Sequence, residues 1–428
     1  MSCPYVADWR PIRVIAKGLD DQGRGGASFR LHTDGAQGVL IAGANRHHTF
    51  ADVCEVKIAR KEDGRVASMT MDQRADAVPR AHSGAASGSV GGSVYVHGGQ
   101  NFFTEDVYDH LYRYTYGSGK LELVEASGDI PEGRNSHAAA VLMDRYVVIM
   151  GGADQSGPRN DVFVLDTVSL RWTRVSPTVR PSRSGPAGSS HLPAAREMHT
   201  LTALPTHASA GSTGGALLVG GRIDGGISDE VWHLGITVEG GEEGEGAAIS
   251  GEWTYVDKTP FARCAHTANM LAPLSPSSPH LLVVFGGMDA AHGFTNDLWI
   301  AEASVKPTGA ALPPVTLTWH NIPSPSQQPG SSFSSSRLVG PAAPLKAPCA
   351  RFGHVSDVLC GGEGLGVQQV VVYGGASEER ELCDAWGLTV AKRVEEAEEG
   401  DCDACEPKKE KEEQGGGGSR AGGGGEAQ

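Results

Sequence analysis

A short β-forming run ending in a pair of small residues occurs six times in this chain. The runs are VLIAG (39–43), VYVHGG (94–99), VVIMGG (147–152), LLVGG (217–221), LLVVFGG (281–287) and VVVYGG (370–375). After each comes a polar loop, then an aspartate beside apolar residues, at Asp52, Asp109, Asp161, Asp229, Asp297 and Asp384. Before each stands an arginine, at Arg24, Arg80, Arg134, Arg196, Arg263 and Arg351. His137, His199, His266 and His354 follow the last four arginines by three residues, whereas Arg80 is followed by His82 and Ser83, and Arg24 by Ala27. Self-similarity on this scale marks a repeat architecture, in which one unit cannot bury its own faces and must stack on its neighbours. With 59 glycines and 24 prolines in 428 residues, and no window of clean helical periodicity, the units are built from strands and turns.

The tryptophans set the topology. Trp232, Trp299 and Trp386 follow the aspartate, and Trp172, Trp253 and Trp319 come later, where a further strand begins. Each unit therefore reads as four strands: one after the arginine, one into the glycine pair, one after the aspartate and one around the second tryptophan. The sixth unit lacks its tryptophan strand, because the chain turns charged after Val390. The segment Trp9-Arg10-Pro11-Ile12-Arg13-Val14 supplies that strand from the other end of the chain. The expected fold is all-β: a six-bladed β-propeller over residues 9–390, with four-stranded blades and a ring closed by the N-terminal strand. A radial arrangement lets each sheet pack on two neighbours and leaves only short edges. The glycines are expected where strands crowd the axis, since they tolerate positive φ and close backbone approach. Residues 391–428, charged and then glycine-rich, are expected to form a disordered tail. Stretches rich in Ser, Pro, Gly and Ala at 177–195, 239–250, 271–279 and 323–349 read as surface insertions between strands.

The double glycine followed by a spaced Asp and Trp or Tyr resembles the Kelch repeat. The resemblance covers residues 9 to 390, in units longer than the roughly 50-residue Kelch period, the excess lying in the insertions. It implies a Kelch-type propeller that binds other proteins. Some Kelch propellers are enzymes, and the residues those need are not met here. The copper-oxidase kind needs a cross-linked Tyr–Cys pair, a second Tyr and two axial His, and no such set is marked. The iron-dependent specifier kind needs Glu, Asp and His at successive spacings of four. Glu105 and Asp109 have the first spacing but position 113 is Arg, and His110 fits Asp106 but position 102 is Phe. The stretches AREMHTLTALP (195–205), GALLVGGRIDGGISDEVWHL (215–234) and FARCAHTANM (261–270) resemble the Kelch half of tRNA wybutosine-synthesising proteins that are similar to leucine carboxyl methyltransferases. That resemblance implies an alternative role: an accessory module of tRNA modification, acting with a separate methyltransferase. No methyltransferase half occurs in these residues, so no S-adenosylmethionine site carries over.

The formal net charge of −15 argues against general nucleic-acid binding, which needs a basic face. No apolar stretch is long enough for a membrane span. The N-terminus MSCPYVADWRPIRV has no secretory h-region, so a cytoplasmic or nuclear location is expected. Eight scattered cysteines in a reducing compartment do not make a disulfide framework. Cys402 and Cys405 form a lone C-x-x-C without the second pair a zinc site needs, and no metal or other cofactor is expected. The repeat histidines are expected to hold equivalent places in their own blades, bonded locally. The functional expectation rests on the arginines. Arg24, Arg80, Arg134, Arg196, Arg263 and Arg351, one per blade, would gather toward one end of the central channel, where guanidinium groups receive a carboxylate bidentately. The competing expectation is that each pairs with an aspartate of the neighbouring blade, since buried charges need partners. The function read from sequence is a non-catalytic protein-interaction scaffold, with an acidic or C-terminal peptide as its ligand.

Overall fold

The computed structural model describes residues 3–18, 23–180, 191–205, 212–240, 247–306, 315–322, 347–359 and 368–393. Much of the insertions at 177–195, 239–250 and 323–349, and the tail from 394 onward with Cys402 and Cys405, lie outside the described residues. No helix occurs among the described residues. The architecture is all-β and β-propeller-like.

After an opening strand, β1 (Tyr5–Lys17), the chain repeats one antiparallel four-strand meander. The first comprises β2 (Ser28–Leu31), β3 (Gln37–Ile41), β4 (Asp52–Arg60) and β5 (Val66–Ala77). The second comprises β6 (Ala86–Val90), β7 (Ser93–His97), β8 (Leu111–Thr115) and β9 (Lys120–Leu123). Next come β10 (Ala138–Leu142), β11 (Tyr146–Met150), β12 (Val162–Asp166) and β13 (Arg171–Val175). The fourth meander is β14 (Thr200–Ala203), β15 (Thr213–Val219), β16 (Glu230–Glu239) and β17 (Ala248–Lys258). The fifth is β18 (Thr267–Leu271), β19 (His280–Phe285), β20 (Leu298–Val305) and β21 (Val315–Ile322). Last come β22 (Val355–Leu359), β23 (Gln369–Tyr373) and β24 (Ala385–Lys392).

The last meander takes its fourth strand from the opposite end of the chain. Residues 5–12 of β1 pair antiparallel with β24, Trp9 opposite Leu388 and Tyr5 opposite Lys392. The strand is longer than the sequence suggests. Its second half, Arg13 to Lys17, pairs in parallel with Ser68 to Asp72 of β5. One strand thus joins the first and last meanders into an eight-stranded sheet. Its side chains also reach the fifth meander: the Trp9 ring lies 4.8 Å from that of Phe285, and the Tyr5 hydroxyl donates to Glu302 at 2.8 Å.

The first strands β2, β6, β10, β14, β18 and β22 pack against one another in sequence, and β22 packs back against β2. Ahead of each, one residue adopts a left-handed conformation: Gly26, Gly84, Ser136, Met198, Ala265 and Gly353, with φ between 51° and 71°. Each N–H donates to the carbonyl of the equivalent residue one meander earlier. The bonds are Gly84 to Gly26 at 2.8 Å, Ser136 to Gly84 at 2.7 Å, Met198 to Ser136 at 2.8 Å, Ala265 to Met198 at 2.8 Å, Gly353 to Ala265 at 3.0 Å and Gly26 to Gly353 at 2.8 Å. The series returns on itself. Between adjacent meanders the sheet faces interlock; Val148 and Val164 of the third pack with Leu218, Trp232 and Trp253 of the fourth. The seven tryptophans include Trp172 and Trp253, both almost fully buried.

Removing residues 3–17 takes a strand from two meanders at once and is expected to lower the unfolding temperature by roughly 10 °C or more. Trp9→Ala is expected to cost about 3–5 kcal/mol. Thermal and urea unfolding check both, and a truncated chain that unfolds like the full one would contradict the account.

Candidate functional site

Five of the six arginines are out of solvent and engaged. Arg24, Arg134, Arg196, Arg263 and Arg351 are at most 4 % exposed. Each pairs forward within its own repeat: with Asp52 at 2.6 Å, Asp161 at 2.5 Å, Glu230 at 2.9 Å, Asp297 at 3.3 Å and Asp384 at 2.8 Å. The same guanidinium groups donate to the carbonyl of the first residue of each small pair: Ala42, Gly151, Gly220, Gly286 and Gly374, at 2.9 to 3.2 Å. A buried charge with a carboxylate and a carbonyl around it is satisfied, and removing one partner strands the other. Burial pushes the Asp384 carboxyl up, but bonds from Arg351 and from Trp386 Nε1 outweigh it and hold that group below its ordinary value. In the fourth repeat the carboxylate is Glu230 rather than Asp229, which lies at the surface against Lys258.

These pairings correct the expectation that Arg24, Arg134, Arg196, Arg263 and Arg351 line a cationic pocket at the end of the channel. They also correct its rival, since the carboxylates belong to the same repeat and not to a neighbour.

Arg80 departs from the series for a different reason. Two residues before the left-handed Gly84 stands His82, where Arg134 stands before Ser136. The His82 carbonyl accepts the Gly43 N–H at 2.9 Å, just as the Arg134 carbonyl accepts that of Gly99 at 2.8 Å. The place of the carboxylate is taken by His110, whose carbonyl accepts the Gly98 N–H at 3.0 Å, as that of Asp161 accepts Gly151 at 3.1 Å. The Tyr112 ring stacks 6.1 Å from each imidazole. Burial holds His82 below its ordinary pKa, so a neutral imidazole replaces the guanidinium in this repeat. Arg80 is exposed, 5.5 Å over the Tyr108 ring, with no ion pair among the described residues.

His137, His199, His266 and His354 directly follow the left-handed residue and are buried. Three of them reach into the preceding repeat rather than bonding locally. His266 Nε2 lies 3.2 Å from Thr200 Oγ1, His354 Nε2 3.0 Å from Thr267 Oγ1, and His137 Nε2 3.2 Å from His97 Nδ1. This explains the glycine pair better than crowding at the axis. A β-carbon on the first glycine would meet the next repeat's imidazole: 2.9 Å from His137 at Gly98, 2.9 Å from His199 at Gly151 and 2.7 Å from His354 at Gly286. A β-carbon on the second glycine would meet the same repeat's histidine, 2.7 Å from His137 Cβ at Gly152. The first repeat is followed by Ala85 in that position, and its own pair begins with Ala42 rather than glycine. Burial drives His97, His199 and His266 down to about 3. Among the described residues no three of His, Cys, Asp and Glu gather as a metal cage would.

Two cavities lie along the axis among the described residues. At the end bearing the six left-handed residues, an open cavity of about 780 Å³ is lined by those residues and by Ala44, Arg46, Phe102, Phe294, Phe352 and Glu378 among others. Phe294 and Phe352 stack at 4.4 Å, and Phe102 is 51 % exposed. Arg46 of the first repeat is held by Glu381 of the sixth at 3.0 Å and donates to the carbonyls of Ser377, Glu378 and Glu379 at 3.4 Å. The second cavity, about 560 Å³, lies between the first strands. There Arg30 Nε donates to Ser87 Oγ at 3.1 Å, and Arg30 Nη1 is 3.7 Å from Asp357, whose carboxylate accepts the Leu31 N–H at 2.8 Å. Burial raises the Asp357 carboxyl, with Arg30 opposing it. Neither cavity is lined by any of the six repeat arginines. The sequence reading missed Arg30, Arg46 and the three phenylalanines; the one available signal was Phe102-Phe103, two aromatics inside a polar loop.

Arg134→Ala is expected to cost about 3–5 kcal/mol by leaving Asp161 without its cation, and Arg80→Ala to change stability by less than about 0.5 kcal/mol; equal effects in urea unfolding would contradict the assignment. The depressed histidines also fix a pH dependence. The folded chain binds fewer protons than the unfolded one below about pH 6.5, so stability is complete above that value and is lost as the pH falls toward 3. His97, His199 and His266 should each contribute a slope of about 1.4 kcal/mol per pH unit. Urea midpoints between pH 7.5 and 4.5 measure this, and a midpoint that stays level or rises on acidification would refute it.

Residues 8–215 match the KLHDC2/KLHL20/DRC7 Kelch-repeats domain. Curated relatives are similar over shorter stretches. Kelch domain-containing protein 3 of Rattus norvegicus is 29% identical over 153 residues, 35% of this chain and 35% of the relative. Acyl-CoA-binding domain-containing protein 5 of Arabidopsis thaliana is 30% identical over 112 residues, 25% of this chain and 17% of the relative. The tRNA wybutosine-synthesizing protein 2/3/4 of Oryza sativa subsp. japonica is 33% identical over 88 residues, 21% of this chain and 8% of the relative. The chain thus spans about a third of the first of these relatives and less of the others. Glycine pairs clasped by an arginine on one side and a histidine on the other recur along the chain, and its residues 8–215 are similar to a Kelch-repeats domain.

Proposed function

We propose that this chain is a six-bladed Kelch β-propeller, taking in the stretch 9–390 and closed by its N-terminal strand, that works as a non-catalytic interaction module. It holds a segment of a partner protein in the cavity at the end of the axis that bears the left-handed residues. The returning series of backbone hydrogen bonds and the pairing of β1 with β24 support the ring. One observation carries the functional reading: the cavity of about 780 Å³, with Phe102, Phe294 and Phe352 in its wall over a base of small residues and backbone. A concave apolar site with a few placed polar groups is the usual form of a recognition pocket, and buried aromatic anchors supply most of the energy of such contacts. Five repeat arginines are engaged by their own carboxylates, so recognition of a ligand is assigned to this cavity and not to them. An accessory part in tRNA wybutosine modification has the likeness over 88 residues behind it. Against it, Arg46, the arginine in the cavity wall, is already paired with Glu381.

Affinity capture with the native chain, with Ala44→Trp to fill the cavity, and with Phe102→Ala tests the reading. Proteins held by the native chain are expected to be lost from both variants while unfolding temperatures stay unchanged. Partners that bind all three chains equally would overturn it, and recovery of tRNA with a methyltransferase would favour the second role.

A further inference from the structure

The walls of the cavity say what sort of segment fits it. Its aromatic residues come from loops of the second, fifth and sixth repeats, and the first repeat adds Ala44, Asn45 and Arg46. Those loops hold Glu105, Asp106, Asp289, Glu378, Glu379 and Glu381 against two arginines, Arg46 and Arg380. Arg46 is already neutralised by Glu381 at 3.0 Å. Asp289 is turned onto its own loop, accepting the N–H groups of Ala291 and Gly293 at 2.9 Å. Asp106 likewise accepts from Thr104 at 2.7 Å. Glu378 and Glu379 are exposed, with no ion pair among the described residues, and Glu378 lines the cavity. In the same wall as Glu378, Phe352 stacks on Phe294 at 4.4 Å. Aromatic faces next to unpaired carboxylates favour a cation, through the ring quadrupole and through charge. Negative potential at a concave site also steers positive partners toward it and repels negative ones.

We infer that the segment bound in this cavity carries an arginine or lysine beside a large apolar side chain. The apolar group packs among Phe102, Phe294 and Phe352, and the cation lies against Glu378 and Glu379. This rests on the reading of the cavity as the binding site, and it replaces the acidic peptide expected from sequence by a basic one.

The test is an arrayed library of 12-residue peptides in three classes, each with a central Leu, Phe or Trp. One class is flanked by Arg or Lys, one by Asp or Glu, and one by Ser or Gly. The native full chain is expected to retain the basic class, with binding that weakens as salt rises. Phe102→Ala is expected to reduce that binding roughly tenfold. The double variant Glu378→Lys, Glu379→Lys changes two exposed side chains and leaves untouched the carbonyls that hold Arg46; it should lose the basic peptides roughly tenfold and gain the acidic ones. Retention of the acidic or neutral class, sensitive to Phe102→Ala, would overturn the cationic partner while leaving the cavity as the site. Retention of no class above the level seen with Ala44→Trp, or binding indifferent to Phe102→Ala, would overturn the cavity itself.

Discussion

The circuit of backbone hydrogen bonds through Gly26, Gly84, Ser136, Met198, Ala265 and Gly353 is the constraint on which the rest of the molecule turns. Buried amide and carbonyl groups must find partners, and here each finds one in the adjacent repeat. The bonds use no side chain, so the six positions share a conformation and not a residue type. The cost is a left-handed backbone, which glycine adopts freely and which strains Ser136, Met198 and Ala265. Because the circuit sits at the inner end of the first strands, it decides what faces the axis: a rim of backbone and, Met198 apart, small residues, with the histidines directly following.

Around this circuit the charged and aromatic residues divide the work. Arginine and carboxylate tie the second and third strands of a repeat to its own leading loop. Histidine ties one repeat to the one before it. The glycine pair lies where the two systems meet, since it gives a carbonyl to the arginine and yields its side-chain space to two histidines. The second repeat has His82 and His110 in place of the ion pair, with the Tyr112 ring nearly parallel to both imidazoles. Its backbone bonds are those of the other repeats, so the main chain sets the position and the side chains adapt to it.

Much of this was legible in the residues. The repeat, its strands and the borrowed first strand follow from glycine pairs, tryptophans and Trp9, because those residues answer to local packing that recurs in every unit. What misled was the sharing of partners. A once-per-repeat arginine suggests a ring of free guanidinium groups, but in sequence nothing distinguishes a cation facing the axis from one bonded to a carboxylate some thirty residues on. Arg80 entered the series as the arginine upstream of its glycine pair. Counting back from the strand Ala86–Val90 places His82 in the position instead. Arg30, which does line an axial cavity, lies inside a strand among apolar neighbours and repeats nowhere. The aromatic wall is assembled from loops far apart in the chain, and no local pattern announces it.

The strand Tyr5–Lys17 has a consequence for how the molecule is made. Its partner Ala385–Lys392 leaves the ribosome after all the other repeats. Until then the leading segment has half its pairing, through Arg13 to Lys17, and an open hydrogen-bonding edge along the remainder. Contacts so far apart in sequence form slowly, and an unpaired edge invites pairing with another chain. The nascent molecule is therefore most vulnerable to aggregation during the interval between its first and last strands, and a chaperone would have its greatest effect there.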